Sequence, residues 1–176
     1  MAQGATANGN GQPAAQPPAG EPAPQQLLIN GQYIKDLSFE NPRAPQSLMQ
    51  QAGPPNFEFN VDVTVQGVGP ENYEVVLIIN ASAKAQNETL FVVELAYAAI
   101  VTVRNVPQQM LGAVLVIEVP RLIFPFARNI IAETTRDGGF PPLMLNPIDF
   151  AEIARRKAAA EQAAATVSGG GGDATA

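Results

Sequence analysis

The sequence predicts an α+β fold with a four-stranded antiparallel sheet and C-terminal helices. Residues 57–66 alternate strictly between apolar and polar side chains, and the stretches 73–84 and 88–103 follow after short turn-forming segments. Three strands joined in this way are typical of a β-meander, and a fourth strand is predicted over 26–40, before them. From residue 105 onwards the apolar residues recur with the spacing of a helix.

Both ends of the 176-residue chain have compositions that do not support a packed core. Residues 1–25 are mostly Ala, Gln, Gly and Pro, and residues 166–176 are rich in Gly and Ala. Such segments bury too little apolar surface to offset the entropy of ordering them. We therefore predict disordered tails over 1–25 and 166–176 around a single domain over 26–165.

The helical half is predicted as separate segments. Pro120 and Pro125 are expected to interrupt the helical region, because proline removes a backbone donor and clashes with the preceding turn. A second helix is predicted over about 126–136, where the pair Gly138-Gly139 stops it. A capping box is expected to open a terminal helix over about 149–165.

The composition excludes several classes of chemistry. The chain has no Cys and no His, so disulfides, Ser-His and Cys-His nucleophiles, and transition-metal sites built on these residues are not expected. The Gly-rich motifs that bind nucleotide phosphates do not occur. We therefore predict a protein that is not an enzyme and that needs neither a cofactor nor a metal.

Charge and hydropathy indicate the kind of partner. The formal net charge is −6, and an acidic chain without a basic stripe suits a basic protein surface better than nucleic acid. The N-terminus lacks a basic region followed by an apolar run, and no uninterrupted apolar stretch approaches the roughly 20 residues of a membrane span. We expect no secretory signal, no nucleic-acid partner and no membrane insertion.

The strand over 88–103 carries apolar side chains on both faces. One face holds Phe91 and Val93, and the other holds Leu90 and Val92. Two short helices can cover only one side of a sheet, so the second apolar side needs a partner. Association with other copies of the chain and binding of a client polypeptide both explain this pattern.

Carboxylates are predicted to share one side of the sheet. They are Asp36, Glu40, Glu58, Asp62, Glu74 and Glu94. A solvated surface that keeps the chain soluble explains them, as does a docking surface for a basic partner. Acid/base catalysis by paired carboxylates is a third explanation, but flat sheet faces seldom supply the cleft that it needs.

A stiff apolar loop is predicted over 140–147. Its side chains include Phe140, Leu143, Met144 and Leu145, among prolines that prevent helix formation. The loop is either a connection packed on the core or one wall of an apolar groove for extended peptide. A groove lined by Leu and Met would recognise hydrophobicity and backbone, and would accept many sequences.

Several segments of the chain resemble the SecB family of protein-export chaperones. They are Tyr33-Ile-Lys-Asp-Leu-Ser-Phe-Glu-Asn-Pro42, Tyr73-Glu-Val-Val-Leu77, Glu88-Thr89 through Glu94-Leu95, Leu122-Ile-Phe-Pro-Phe-Ala-Arg128, and Gly139-Phe140-Pro141 through Phe150. The resemblance runs from about 27 to 157. It implies a four-stranded SecB-like α+β fold and a homotetramer built as a dimer of dimers.

The resemblance also implies a function. Members of this family are ATP-independent holdases of the bacterial cytoplasm, which keep precursor proteins unfolded before export and pass them to the motor ATPase SecA. Residue by residue, the docking surface for SecA falls on Asp36, Glu40, Val92 and Glu94.

A client groove is implied along the second strand, the helix and the inter-helix loop. In this chain its residues are Phe57, Phe59, Phe126, Phe140, Leu143 and Leu145. Family members often carry a Trp in the loop after the first strand. This chain has no Trp, and Leu48, Met49 and Phe57 are expected to replace it.

Two other functions are open at this point. SecB-like chaperones also protect the antitoxins of toxin–antitoxin pairs, and the sequence does not identify the client. The other is a structural oligomer that buries its apolar face permanently and does not suppress the aggregation of unfolded proteins.

Overall fold

Four strands and four helices make up the described part of the chain. The computed structural model describes residues 23–49, 53–86 and 88–168, with the backbone alone over 165–168. The strands are β1 (Gln26–Glu40), β2 (Asn56–Gly69), β3 (Asn72–Ala85) and β4 (Glu88–Arg104). The helices are α1 (Gln46–Met49), α2 (Gln108–Ala113), α3 (Val119–Asp137) and α4 (Phe150–Ser168). Residues 1–22 and 169–176, which fall in the predicted tails, lie outside the described residues.

The sheet is antiparallel throughout and confirms the predicted fold class. Its strand order is β1-β4-β3-β2, so β2, β3 and β4 form the meander and β1 adds to β4. Direct pairing aligns Phe39 with Val93 and Glu40 with Val92. Because neighbouring residues of a strand point to opposite faces, the first pair lies on one side of the sheet and the second pair on the other.

The core lies between the middle of the sheet and α3. Ile123, Ala127 and Ile131 of α3 are 0% exposed, and they belong to one cluster with the side chains of β3 and β4, such as Leu77 and Val93. We call this side of the sheet the helix face and the opposite side the outer face. A helix is about 10 Å across and strands lie about 4.8 Å apart, so α3 covers about two strands.

The helical region from α2 to α3 is continuous, and the prediction that Pro120 and Pro125 would interrupt it is wrong. A π-helical turn, Val114–Glu118, joins the two helices immediately before Pro120, which occupies the first turn of α3. In a π-helical turn the backbone hydrogen bonds are spaced more widely than in an α-helix, and this change falls where Pro120 has no N–H to donate. The first turn of an α-helix tolerates proline, because its N–H groups have no partner within the helix. Pro125 lies inside α3, on its exposed side.

The continuous helix Gln108–Asp137 has the length and hydropathy of a membrane span, although no such segment was expected. In the sequence, prolines divide this apolar segment into shorter stretches, so its full length is apparent only when the helix is seen to be continuous. The core helices of soluble proteins meet the same criterion, and the buried side of α3 packs on the sheet.

The loop between α3 and α4 begins at the predicted glycine pair. Gly139 has φ +91°, a conformation that favours glycine. A Cβ at Gly138 would lie too close to the ring of Phe39, so this position brings the end of α3 directly against β1. Asp149 caps α4 through its Oδ1, which accepts hydrogen bonds from the N–H groups of Ala151 (2.9 Å) and Glu152 (3.1 Å). The helix then continues to Ser168, beyond the predicted end near 165.

Thr135 fixes the path of this loop. Its hydroxyl accepts a hydrogen bond from Leu143 N at 2.9 Å and donates to Ile131 O at 3.0 Å. The residue is 0% exposed. Without this hydroxyl, the N–H of the half-buried Leu143 would lose its acceptor, which is costly.

We therefore expect Thr135→Val to lower the free energy of unfolding by about 1–3 kcal/mol, because a valine keeps the shape and removes the acceptor. Hydrogen exchange over 140–145 should become faster. Thr134→Val, at a half-buried position in the same helix, is the matched control and should change stability by less than about 0.5 kcal/mol. Equal effects of both substitutions in urea denaturation would contradict this role.

Candidate functional site: an apolar groove and an acidic sheet face

The predicted docking residues lie together at one end of the outer face. Glu40 pairs directly with Val92, and Glu94 pairs with Ser38. Asp36, Glu40 and Glu94 are exposed, and Val92 is partly buried. Within the described part of the chain none of the three carboxylates forms an ion pair. We call these four residues the acidic patch.

The other carboxylates of the outer face have cationic partners. Glu58 forms an ion pair with Lys84 at 2.8 Å, and Asp62 forms one with Lys157 of α4 at 2.7 Å. The pairing register places all six predicted carboxylates on the outer face. Of these six, those that have no cationic partner among the described residues are the three of the acidic patch.

Glu74 is a special case because it is almost buried, at 8% exposure. It accepts hydrogen bonds from Lys35 Nζ at 2.7 Å and from the Tyr33 hydroxyl. These two bonds, to Lys35 first and then Tyr33, hold the pKa of Glu74 below its usual value. The bond to Glu74 raises the pKa of Lys35 and of Tyr33.

Two adjoining cavities on the helix face form a groove around Phe140. The first, of about 500 Å³, is lined by Leu48, Phe140, Leu90 and both Pro54 and Pro55, among others. The second, of about 290 Å³, has Phe57, Phe140, Leu143 and Met144 among its lining residues. Pro55, Leu90, Phe140 and Pro141 line both cavities, so they are continuous. We call them together the apolar groove.

Aromatic rings form the floor of the groove. The ring centroid of Phe91 lies 4.9 Å from that of Phe140 and 5.8 Å from that of Phe39. Such contacts stabilise beyond the area that they bury. Phe57 nevertheless stays 48% exposed at the rim, which gives the groove an apolar surface open to solvent.

Four of the seven predicted groove residues line the groove: Leu48, Phe57, Phe140 and Leu143. The other three lie elsewhere. Phe59 is 58% exposed farther along β2, and Phe126 is 53% exposed on α3, away from the buried side of that helix. Leu145 is only 4% exposed and belongs to the core.

Leu90 was missed because strict alternation assigned it to the outer face. Ala83 pairs with Phe91 and Lys84 pairs with Thr89, so the register shifts between them and Leu90 is an extra residue in β4. A bulge of this kind redirects a side chain, and Leu90 lines both cavities of the groove. No local signal in the sequence marks this bulge.

The comparisons with known proteins agree on one family. The profile of the family described as preprotein translocase subunit SecB matches residues 20–161. A protein of Afipia carboxidovorans named protein-export protein SecB is 52% identical to this chain, over 76% of this chain and 83% of its own length. The protein of the same name in Rhodopseudomonas palustris is 50% identical, over 85% of this chain and 91% of its own length. The relative in Parvibaculum lavamentivorans is 54% identical over 75% of this chain and 79% of its own length.

A solved structure has the same fold. It is a SecB-like chaperone of Mycobacterium tuberculosis in complex with a ChAD peptide from the HigA1 antitoxin, with a TM-score of 0.59 and 16% identity. The superposed region includes 69% of this chain and 90% of the chain of that structure. The fold is therefore that of the SecB-like proteins. On the match of the family profile and of its relatives, the chain belongs to the SecB family.

The hydrogen bonds of Glu74 with Lys35 and Tyr33 should stabilise the folded protein to an extent that depends on pH. Because folding lowers the pKa of Glu74, its contribution is complete above the usual pKa of glutamate, about 4.3, and disappears as the pH falls through the lower folded-state value. Wild type should lose more stability between pH 6 and pH 3 than Glu74→Gln does, as measured by urea denaturation. Glu133→Gln, at an exposed position of α3, should follow the wild-type curve. A Glu74→Gln curve parallel to wild type would contradict the assignment.

Proposed function

We propose that this protein is an ATP-independent holdase of the bacterial cytoplasm that keeps precursor proteins unfolded and delivers them to the motor ATPase SecA. Its function as a protein-export chaperone follows from its membership in the SecB family. The observation that carries the holdase activity is the apolar groove, which leaves aromatic and aliphatic side chains open to solvent. The proposal includes no catalytic step.

The groove suits an unfolded chain better than a folded partner. Its walls are a strand, a proline-rich loop and Leu48, whose side chain is 46% exposed. Apolar surface of this kind binds by burial, which is non-directional and therefore tolerant of many sequences. The pair Pro141-Pro142 and the Thr135 bond to Leu143 stiffen one wall, which reduces the entropy lost on binding.

The acidic patch supports a separate docking site for SecA. It lies on the outer face, whereas the groove lies on the helix face, so the thickness of the sheet separates the two surfaces. Carboxylates without counter-charges attract a basic partner and orient it. A client in the groove would leave the acidic patch accessible.

The exposed apolar residues outside the groove support assembly into a homotetramer, a dimer of dimers. Leu28, Ile34 and Leu37 of the edge strand β1 are 50%, 48% and 38% exposed, and Leu122 and Phe126 of α3 are 49% and 53% exposed. A monomer would leave both surfaces in water, and closed symmetric association buries such patches. These sites do not overlap the groove residues of the described chain.

The groove should bind clients through apolar burial. We expect Phe57→Ser to weaken binding of a chemically unfolded precursor by about 5–30-fold, the equivalent of roughly 1–2 kcal/mol of lost apolar contact. Binding should change little with moderate salt. Val68→Ser, on the same strand, 50% exposed and outside both cavities, is the control. Titration calorimetry that finds both variants equal to wild type would remove the groove from the proposal.

Docking of SecA should depend on charge. We expect Glu40→Lys and Glu94→Lys each to weaken SecA binding by roughly tenfold at low salt, and the wild-type affinity to fall as salt rises, because exposed charges are screened. Glu133→Lys, with the same charge change on α3, should bind as wild type does. If both patch variants keep wild-type affinity in surface plasmon resonance, SecA does not dock on the acidic patch.

A further inference from the structure

Within residues 23–49, 53–86 and 88–168, β2 is the last strand of the sheet, and no described strand pairs with its second edge. In an antiparallel strand, alternate residues direct their backbone N–H and C=O groups to the same neighbour. Such unpaired groups form a template for another extended chain, and proteins usually protect them.

Two side chains occupy the free backbone groups of one residue on this edge. The N–H of Val63 donates to Asp62 Oδ1 at 2.8 Å, and its C=O accepts from Lys157 Nζ at 2.8 Å. Lys157 Nζ also bonds to Asp62 Oδ1 at 2.7 Å, which closes the network. Since both groups of Val63 are bonded to side chains, they point away from β3, to the free edge. We call these three residues the edge plug.

The same alternation assigns the free groups farther along the strand. β2 pairs with β3 without a register shift from Asn56 to Gly67, so Phe57, Phe59 and Val61 share the orientation of Val63. Phe57 and Phe59 are 48% and 58% exposed. Among the described residues no further strand pairs with this edge beside the apolar groove, and the edge plug lies at its far end.

Lys157 is the last partly buried residue of α4 among those whose side chains are described. Phe150 and Ile153 pack on the core, whereas the residues from Ala158 to Ala164 are all exposed. A cavity of about 410 Å³ remains between α4 and β2, with Val63, Val65 and Val116 among its lining residues. Lys157 itself lines this cavity, so its position controls access to the apolar residues there.

We propose that the edge plug ends, at Val63, the stretch of β2 edge on which an extended polypeptide can pair. The occupant of the edge is an unfolded client segment, whose backbone pairs with β2 while its apolar side chains enter the groove; this rests on the proposed function. Release of Lys157 lengthens the pairing edge toward Val65 and opens the apolar cavity beneath α4.

The edge plug is weak enough to open. Lys157 and Asp62 are each 41% exposed, and half-exposed ion pairs are screened by water and salt. Removal of the Lys157 charge should therefore change the equilibrium between the closed edge, with Lys157 bound, and the open edge by about fivefold at most. Salt should shift it in the same direction in the wild type.

The test is hydrogen exchange with mass spectrometry on the full chain, with and without reduced, carboxamidomethylated α-lactalbumin as a permanently unfolded client. Lys157→Met removes the charge and keeps an apolar stem. Lys84→Met is the control, since Lys84 of β3 forms an ion pair with Glu58 of β2 at 2.8 Å and is not one of the edge-plug residues. Affinity is measured in parallel.

In wild type and in Lys84→Met, the client should slow exchange over 57–61 and leave 63–65 unchanged. In Lys157→Met the slowed region should extend through 65, and the affinity for the client should rise by up to about fivefold.

Unchanged protection in Lys157→Met, with client still bound, would overturn the edge plug alone. Protection of β2 in Lys157→Met without client, together with a larger mass, would overturn the client as the occupant in favour of a second copy. A wild-type chain that binds no client would overturn the proposed function as well.

Discussion

A single long helix lies over a sheet that is four strands wide, and the rest of the structure depends on this mismatch. α3 covers the helix face of the two middle strands, where Leu77 of β3 and Val93 of β4 are 0% exposed. The helix is about half as wide as the sheet, so part of the apolar surface of both edge strands stays uncovered. Leu37 on β1 and Phe57 on β2 are 38% and 48% exposed. The uncovered edges become the surfaces available for partners.

The sheet also separates two kinds of chemistry. On the helix face, the loop after α3 adds Phe140 and Leu143 to the uncovered edge of β2, and the result is the apolar groove. On the outer face, the carboxylates of the acidic patch, which form no ion pair with any described residue, lie together at one end. Moderate salt screens exposed charges but does not weaken apolar burial. A carrier that must hold one partner and recognise another can use both at once, which is the division of roles in the proposed function.

Periodicity predicted the sheet and its faces well, because alternation follows directly from the geometry of a strand. It could not predict the bulge at Leu90, which depends on how β3 and β4 pair and which moved that side chain into the groove. Pro120 and Pro125 were misleading for a similar reason: a π-helical turn accommodates the first, and its presence depends on packing. The resemblance identified groove residues by position, yet the burial of Leu145 is a property of the folded loop. Lys157 contacts Val63 and Asp62, which lie 94 and 95 positions away in the sequence. Local sequence patterns give no information on contacts over such a separation.

The central claim is that the surfaces left uncovered by α3 bind other chains, in the assembly and in the groove. Light scattering coupled to gel filtration tests it most directly, on the protein alone and after mixing with a denatured, slow-folding precursor. The account predicts a mass near four chains, and a stable complex with the unfolded precursor that does not form with the folded precursor. A monomer, or a tetramer that ignores unfolded chains, would contradict it.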